Sequence, residues 1–183
     1  MRWRPAVGAL AMFGVVVTGA GCASSAGSAK TLATAPQAGA LARYTKVSLA
    51  TAAEGAAATM PPADRERIAA LVARKLKERA PTRFTEVAVT TIPVTPDTMF
   101  VTIAFTRYDG GSAVARFMLA GLGQIHVNAD VTIEDRSRPA VLGEFAVTKT
   151  FAWGGIYGAT TNITDVEEGF AEAVAKVVLG ESS

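Results

Sequence analysis

Two stretches in the second half of the chain alternate with a period of two, from Met99 to Arg107 and from Ile125 to Glu134. Successive side chains of a strand point to opposite faces, so this pattern predicts strands with one buried face. The stretch from Val141 to Trp153 is predicted to be a long final strand, with a bend at a β-bulge as one option. The short turn between the last two stretches predicts an antiparallel hairpin. The chain therefore needs other elements to cover one face of a sheet.

Two helical patterns can supply that cover. The first opens at Pro61 and Pro62 and stops at Pro81. Its apolar residues recur at helical spacing and are Ile68, Leu71, Val72 and Leu76. Its other face carries Arg65, Arg67, Arg74, Lys75 and Lys77. We expect this basic face to be solvated.

The second helical pattern closes the folded region. Thr164 or Asp165 is the expected N-cap, and Glu167 or Glu168 would complete a capping box. The core face consists of Phe170, Val174, Val177 and Val178. Earlier strands are expected around Tyr44 to Leu49 and from Phe84 to Thr91, with a short helix from Ser112 to Ala120. The predicted order is β-α-β-β-(α)-β-β-α, an α+β fold with a mostly antiparallel sheet and helices packed on one face.

The N-terminal region is typical of a bacterial export signal. Arg2 and Arg4 precede an uncharged apolar run that ends near Thr18, and small residues follow. Gly19-Ala20-Gly21-Cys22 resembles a lipobox except at Gly19, where leucine is usual. We expect residues 1–21 to be a signal peptide and Cys22 to be the lipid-attachment site. A free or buried cysteine, or ordinary cleavage at the small residues, remains the alternative.

The region after Cys22 is rich in Ala, Ser, Gly and Thr, so residues 22–42 are expected to be a flexible tether. Residues 43–183 then form a single α+β domain. The residue after the cysteine is Ala23 rather than the aspartate associated with inner-membrane retention. We therefore expect the protein in the outer membrane, facing the periplasm, with a soluble periplasmic protein as the alternative.

The net charge of +2 comes from the two signal arginines alone. Without Arg2 and Arg4, the 18 basic residues fall to 16 and equal the 16 acidic residues. A neutral mature chain gives no indication of nucleic-acid binding. The expected partners are the membrane, through the lipid anchor, and a protein partner or a second copy.

Several short blocks in the second half of the chain form a recognisable series. They are Arg107-Tyr108-Asp109-Gly110-Gly111, Ala115-Arg116-Phe117, Gly121-Leu122-Gly123 and the run from Lys149 to Gly158, followed by the helix led by Asp165. Together they resemble an uncharacterised family of bacterial envelope lipoproteins, domain of unknown function 4410. The resemblance implies a small secreted or lipid-anchored α+β domain. It implies no activity, cofactor or catalytic residue.

No residue pattern points to a catalytic or metal centre, so none is predicted and no cofactor is expected. His126 is the only histidine, and Asn128 and Asp130 share its predicted strand face. An exposed polar strand face is the simpler interpretation of this trio than a zinc site. Carboxylate pairs such as Asp130 and Glu134 lack a spacing specific to acid–base catalysis. The glycines from 154 to 158 lack the lysine and hydroxyl of a phosphate loop.

Five residues are candidates for a contact surface. They are Arg107, Arg116, Phe151, Trp153 and Tyr157. Trp and Tyr are favoured at interfaces, although a core role for the aromatics and salt bridges for the arginines are simpler alternatives. The sequence therefore predicts a lipid-anchored envelope protein with a non-catalytic binding or assembly role. An envelope hydrolase and a periplasmic carrier of a small molecule or lipid are the alternatives.

Overall fold

The computed structural model of the protein describes residues 25–37, 39–119, 122–153 and 155–181. Within these ranges the chain forms an α+β fold with six strands and four α-helices. The strands are β1 (Ser28–Thr31), β2 (Lys46–Ala53), β3 (Glu86–Ala88), β4 (Thr98–Asp109), β5 (Ile125–Asp135) and β6 (Ala140–Phe151). The helices are α1 (Pro62–Arg79), α2 (Ala113–Met118), α3 (Gly155–Thr160) and α4 (Ile163–Leu179).

The six strands form one mixed sheet in the order β1-β6-β5-β4-β2-β3. The predicted β5–β6 hairpin is confirmed, and β4 and β1 also pair antiparallel with their neighbours. Strand β2, however, is parallel to both β3 and β4. The expectation of a mostly antiparallel sheet is therefore wrong. The reason is α1, which carries the chain back across the sheet, so that the following strands run in the same direction as β2.

The core lies between the sheet and the helices α1 and α4. The odd-numbered side chains of β5 are buried in one cluster with apolar residues of both helices, among them Ile68, Val72, Phe170 and Val174. Burying each large apolar side chain contributes roughly 1.5–3 kcal/mol. The even-numbered side chains of β5 lie on the opposite face and are half-buried. We call this opposite side of the sheet the open face.

Ion pairs join α1 to α4 along the basic side of α1. Arg74 pairs with Glu168, and Lys75 Nζ lies 3.3 Å from the same carboxylate. Arg79 pairs with Glu172. Arg67, Arg74 and Lys77 on this basic face are exposed to solvent, as expected, and α4 also presents acidic side chains to part of it. Sequence spacing within α1 could not indicate which helix would lie alongside.

Helix α4 begins slightly earlier than the sequence indicates. Asn162 is the N-cap, and its capping-box partner is Asp165, whose Oδ2 accepts a hydrogen bond from the Asn162 backbone N–H at 2.7 Å. The carboxylates expected to complete the box, Glu167 and Glu168, face α1 instead.

Part of the segment expected to be a flexible tether belongs to the sheet. Strand β1 pairs with β6 along the sheet edge, with Ser28 opposite Thr148. Before it, the Gly27 N–H donates to the Gly169 carbonyl at 2.8 Å, and Lys149 Nζ donates to Ser25 Oγ at 2.9 Å. These contacts hold the chain from residue 25 onward. The free edge of β6 provides the backbone partners that composition alone could not reveal.

Asp97, in the loop before β4, gives a pH-dependent contribution to stability. Its carboxylate accepts hydrogen bonds from Thr95 Oγ1 at 2.6 Å and Thr45 Oγ1 at 2.9 Å, which lower the pKa of Asp97 to about 2. A depressed folded pKa stabilises the fold above the ordinary value of 3.8, and this stabilisation is lost as the pH falls towards 2. We expect carbon-detected NMR titration of Asp97 to give a midpoint near 2. A midpoint at the ordinary value would contradict these hydrogen bonds.

Among the described residues, no helix has both the length and the apolar character needed to cross a membrane.

Candidate contact surface

Helices α2 and α3 lie together at one end of the sheet. Helix α2 connects β4 to β5, and α3 follows β6, so both helices lie where β4 and β6 end and β5 begins. They contact each other. We call the region formed by residues 112–119, 122–124, 152–153 and 155–162 the α2–α3 end.

Arg116 holds the α2–α3 end together. Its side chain is 3% exposed and donates to four backbone carbonyl groups. Nε donates to Gly158 O at 2.7 Å, Nη2 to Thr161 O at 3.0 Å, and Nη1 to Gly123 O at 2.6 Å and Gly110 O at 3.1 Å. The planar guanidinium thus joins the turn before α2, the loop after it and helix α3.

Two glycines make this close approach possible. A Cβ on Gly158 would lie 2.1 Å from the Trp153 carbonyl oxygen, and a Cβ on Gly123 would lie 2.4 Å from the Ser112 carbonyl oxygen. Gly123 also has a φ of +69°, which favours glycine. Both positions exclude a side chain because backbone occupies the space.

The three candidate aromatic residues are brought together. The rings of Phe151 and Tyr157 lie 5.6 Å apart edge to face, and those of Trp153 and Tyr157 lie 6.0 Å apart in a similar arrangement. Phe151 is buried at 1% exposure, whereas Trp153 and Tyr157 are 43% and 47% exposed. Phe151 therefore anchors the group in the core, and the other two present their rings at the surface.

Most of the exposed large apolar side chains of the described chain belong to this end. They are Val114, Phe117, Met118, Leu119, Leu122, Trp153, Ile156 and Tyr157. Elsewhere only Leu32, Val94 and Val141 are comparably exposed in the described ranges. This concentration of exposed apolar side chains on two neighbouring helices is typical of a binding surface, whereas apolar side chains exposed singly are ordinary.

The two candidate arginines lie in different environments. Arg107 is exposed on the open face and lies 3.4 Å from Asp109 Oδ2, as expected for a surface salt bridge. Arg116 is buried, and its described hydrogen bonds all go to backbone carbonyls. Only Arg107 of this pair could contact a partner directly. Arg116 instead holds the backbone beneath the surface through its hydrogen bonds to carbonyl groups.

His126 lies beside Arg107 on the open face. Its Nδ1 is 3.1 Å from Thr150 Oγ1, and in the sheet register it lies opposite Asp109. Burial and the nearby Arg107 charge lower the pKa of His126. No group of three or more His, Cys, Asp or Glu residues in the described chain is arranged to hold a metal ion.

A buried carboxylate, Glu167, forms a network that the sequence did not reveal. It is fully buried, and its Oε1 accepts from Arg67 Nη2 at 2.7 Å and from Tyr108 Oη at 2.7 Å. Arg67 also pairs with Asp64 at 2.6 Å. Burial, and secondly the hydrogen bond to Glu167, raises the pKa of Tyr108. The hydrogen bond that Arg67 donates to Glu167 raises the pKa of Arg67.

A β-bulge places Tyr108 in that network. The register of β4 against β5 shifts between Phe105 and Arg107. After the shift Tyr108 lies opposite Val127, on the helix-facing side, although simple alternation from Phe105 would put it on the open face. A periodicity argument cannot locate such a bulge.

A second buried carboxylate, Asp135, joins the end of β5 to the segment before β2. Tyr44 Oη donates to its Oδ2 at 2.8 Å, and Arg43 Nη2 lies at the same distance. Burial opposes ionisation, but hydrogen bonds from Ser137 and Tyr44 lower the pKa of Asp135. Both buried carboxylates are therefore engaged in holding elements together.

The predicted lipid-attachment residue Cys22 lies outside the described residues.

The chain also matches a known protein family. The model of the family described as "Domain of unknown function (DUF4410)" matches residues 42–155, more than half of the chain. The chain belongs to this family. No curated protein matches the chain significantly.

Among solved structures, two of the similar chains are PelC dodecamers from Paraburkholderia phytofirmans. A point variant of PelC aligns at TM-score 0.54 with 16% identity, covering 82% of this chain and 96% of that chain. A second PelC dodecamer aligns at TM-score 0.53 with 14% identity, covering 81% of this chain and 97% of that chain. At these identities the likeness concerns the fold.

Proposed function

We propose that this protein is anchored in the bacterial cell envelope by a lipid on Cys22, and that its domain has a non-catalytic assembly role. We further propose that the domain binds further copies of itself. The export signal and lipobox-like sequence before Cys22 support the anchor. The open face of the sheet is the observation that carries the assembly role.

The open face combines small and hydroxyl side chains with charged ones. The small and hydroxyl residues across β2, β4, β5 and β6 are Ala50, Ala52, Ala104, Ala146, Thr102, Thr132 and Thr148. The charged residues include Asp130, Glu134, Glu144 and Arg107. The small side chains let a second protein surface approach the sheet closely, and the charged ones can pair with charges on that surface.

The likeness to PelC supports assembly in many copies. The two PelC structures are dodecamers, so a chain with a related fold is able to form a large homo-oligomer. The pairing of Glu167 with Arg67 and Tyr108, and of Asp135 with Tyr44, supports a structural rather than a catalytic role for the buried carboxylates.

A carrier role is the second candidate, favoured by one cleft. A cleft of about 310 Å³ lies between the segment before β2, strand β6 and the end of α4. Its lining residues are uncharged and include Pro36, Leu41, Phe145 and Val177. The volume is at the lower limit for small-molecule sites. Binding of an apolar fluorescent probe that is lost in Phe145→Ser would support this candidate.

The assembly role is tested by placing a long charged side chain on the open face. In Ala104→Arg we expect the apparent dissociation constant of the oligomer to rise at least about tenfold, equivalent to about 1.4 kcal/mol. The matched control is Ala70→Arg, at an exposed position of α1. Mass photometry of the full chain in mild detergent gives the readout. A wild-type protein that stays monomeric, or equal oligomers in both variants, would contradict self-association.

A further inference from the structure

The apolar surface of the α2–α3 end has no acidic residue in its chain segments. Residues 112–124 contain a single charged residue, Arg116, which is buried, and residues 150–164 contain none. Asp109, at the neighbouring end of β4, is paired with Arg107. These two segments therefore contain no acidic residue that would repel an anionic membrane. They also contain no exposed charged side chain that would lose its hydration against the acyl chains.

The aromatic side chains of this end are those found at membrane interfaces. Trp153 and Tyr157 pack edge to face and are nearly half exposed. Their rings are apolar with one polar atom each, and such side chains concentrate at the boundary between headgroups and acyl chains. Ile156, which is 76% exposed, lies between them in sequence.

The N-terminal part of the chain leaves the domain at this same end. Strand β1 runs antiparallel to β6, so from Ser28 back to Ser25 the chain runs towards the carboxyl end of β6. The hydrogen bond between Lys149 and Ser25 fixes this path two residues from Phe151, whose ring contacts Tyr157. The apolar run from Ala6 to Thr18 and Cys22 precede this exit point in the sequence.

The distance from the proposed anchor to the domain is short. Two residues, Ala23 and Ser24, lie between Cys22 and Ser25, and an extended chain covers at most about 11 Å over the three steps from Cys22 to Ser25. A membrane-inserted group at Cys22 would therefore bring the carboxyl end of β6, and with it α2 and α3, close to the bilayer. Because the chain is held to the domain from Ser25 onward, the segment between the proposed anchor and the domain is shorter than the tether predicted for residues 22–42.

We propose that the α2–α3 end is a lipid-docking surface, which lies against the bilayer beside the N-terminal anchor with Trp153 and Tyr157 at the headgroup boundary. The proposal rests on membrane attachment through the N-terminal region, as proposed above. Docking fixes the orientation of the domain: α2 and α3 face the lipid, and the start of β4 and the end of α4 point away. In this orientation the open face stands beside the membrane and is accessible to neighbouring copies.

Tryptophan fluorescence tests the docking in the mature, lipid-anchored protein. Trp3 lies in the proposed signal peptide, so Trp153 is the only tryptophan from Cys22 onward. The protein is reconstituted into vesicles of phosphatidylethanolamine and phosphatidylglycerol whose acyl chains carry bromine, a contact quencher. We expect Trp153 emission to fall about twofold relative to vesicles without bromine, as for a ring at the interface.

A matched control places tryptophan at the other end of the sheet. Val94 is 53% exposed and lies in the loop before β4. In the double variant Trp153→Phe and Val94→Trp, emission should be unaffected by brominated lipid. The single variant Ile156→Glu should restore Trp153 emission, while Val94→Glu should leave the quenching unchanged.

The possible outcomes separate docking from anchoring. If the protein cosediments with vesicles but Trp153 is not quenched, the docking is refuted and the anchor stands. If the protein does not cosediment, both are refuted. If Trp153 is protected from both brominated lipid and aqueous acrylamide, a protein surface covers it, which also overturns docking to lipid.

Discussion

Replacing Arg116 with alanine should destabilise the protein by about 3–5 kcal/mol, a loss outside the usual range for single substitutions. The change removes the donors for four carbonyl groups, of Gly110, Gly123, Gly158 and Thr161. The acceptors of Gly158 and Thr161 are buried, and each such group left unsatisfied costs about 1–3 kcal/mol. The Gly110 and Gly123 carbonyls are partly buried and cost less, and the four effects are not additive because they share one side chain.

Urea unfolding of the Arg116→Ala variant gives the size of the effect, and hydrogen exchange gives its location. Amides of α2 and α3 should exchange first, while those of β4 to β6 remain protected. Arg116→Lys should recover only part of the loss, because one ammonium group cannot reach opposite loops as the guanidinium fork does. The control is Arg107→Ala, at an exposed surface pair worth less than about 1 kcal/mol. Equal stability of the two alanine variants would show that Arg116 does not hold this end together.

The second large effect is expected for Arg67→Ala. Glu167 is fully buried, and Arg67 is its cationic partner at 2.7 Å and 2.9 Å. Removing one member of such a pair leaves an uncompensated buried charge, which costs about 3–5 kcal/mol. Arg67 itself is 40% exposed, so the lower end of this range applies.

Chemical unfolding of the Arg67→Ala variant at neutral pH measures this deficit in the free energy of unfolding.

The control for Arg67→Ala lies on the same two helices. Arg74 also pairs with a glutamate of α4, but both partners, Arg74 and Glu168, are partly exposed at 50% and 32%. Arg74→Ala should cost less than about 1 kcal/mol. If both alanine variants lose the same stability, burial of Glu167 has no special role.

The sequence predicts the elements whose side chains repeat regularly. Period-two alternation located β4 and β5, and helical spacing located α1 and α4. These patterns are visible because each element has one buried face, and the burial of that face dictates the residue type. The hairpin between β5 and β6 followed from the short connection alone.

Features that depend on a distant partner were not predictable. Strand β1 exists because β6 offers it a free edge, and β2 is parallel to β4 because α1 crosses the sheet between them. The bulge after Phe105 directs Tyr108 to Glu167, which local alternation could not indicate. In each case the deciding partner is far away in the sequence.

The candidate surface was predicted in part. The grouping of Phe151, Trp153 and Tyr157 was expected, and their rings do lie together. The exposed side chains of α2, such as Phe117 and Met118, were not expected, because a short apolar segment is as typical of a core helix as of a surface one. The sequence gives one weak indication that Arg116 is structural. It is the single charged residue in a segment that lies between Gly110-Gly111 and Gly121-Leu122-Gly123.

The intact mass of the protein isolated from bacterial membranes tests the proposed anchoring most directly. We expect the mature chain to begin at Cys22 and to carry the added mass of acyl chains on that residue. Full-length chain in the soluble fraction, with Met1 retained and an unmodified thiol at Cys22, would contradict the lipid anchor and the orientation that depends on it.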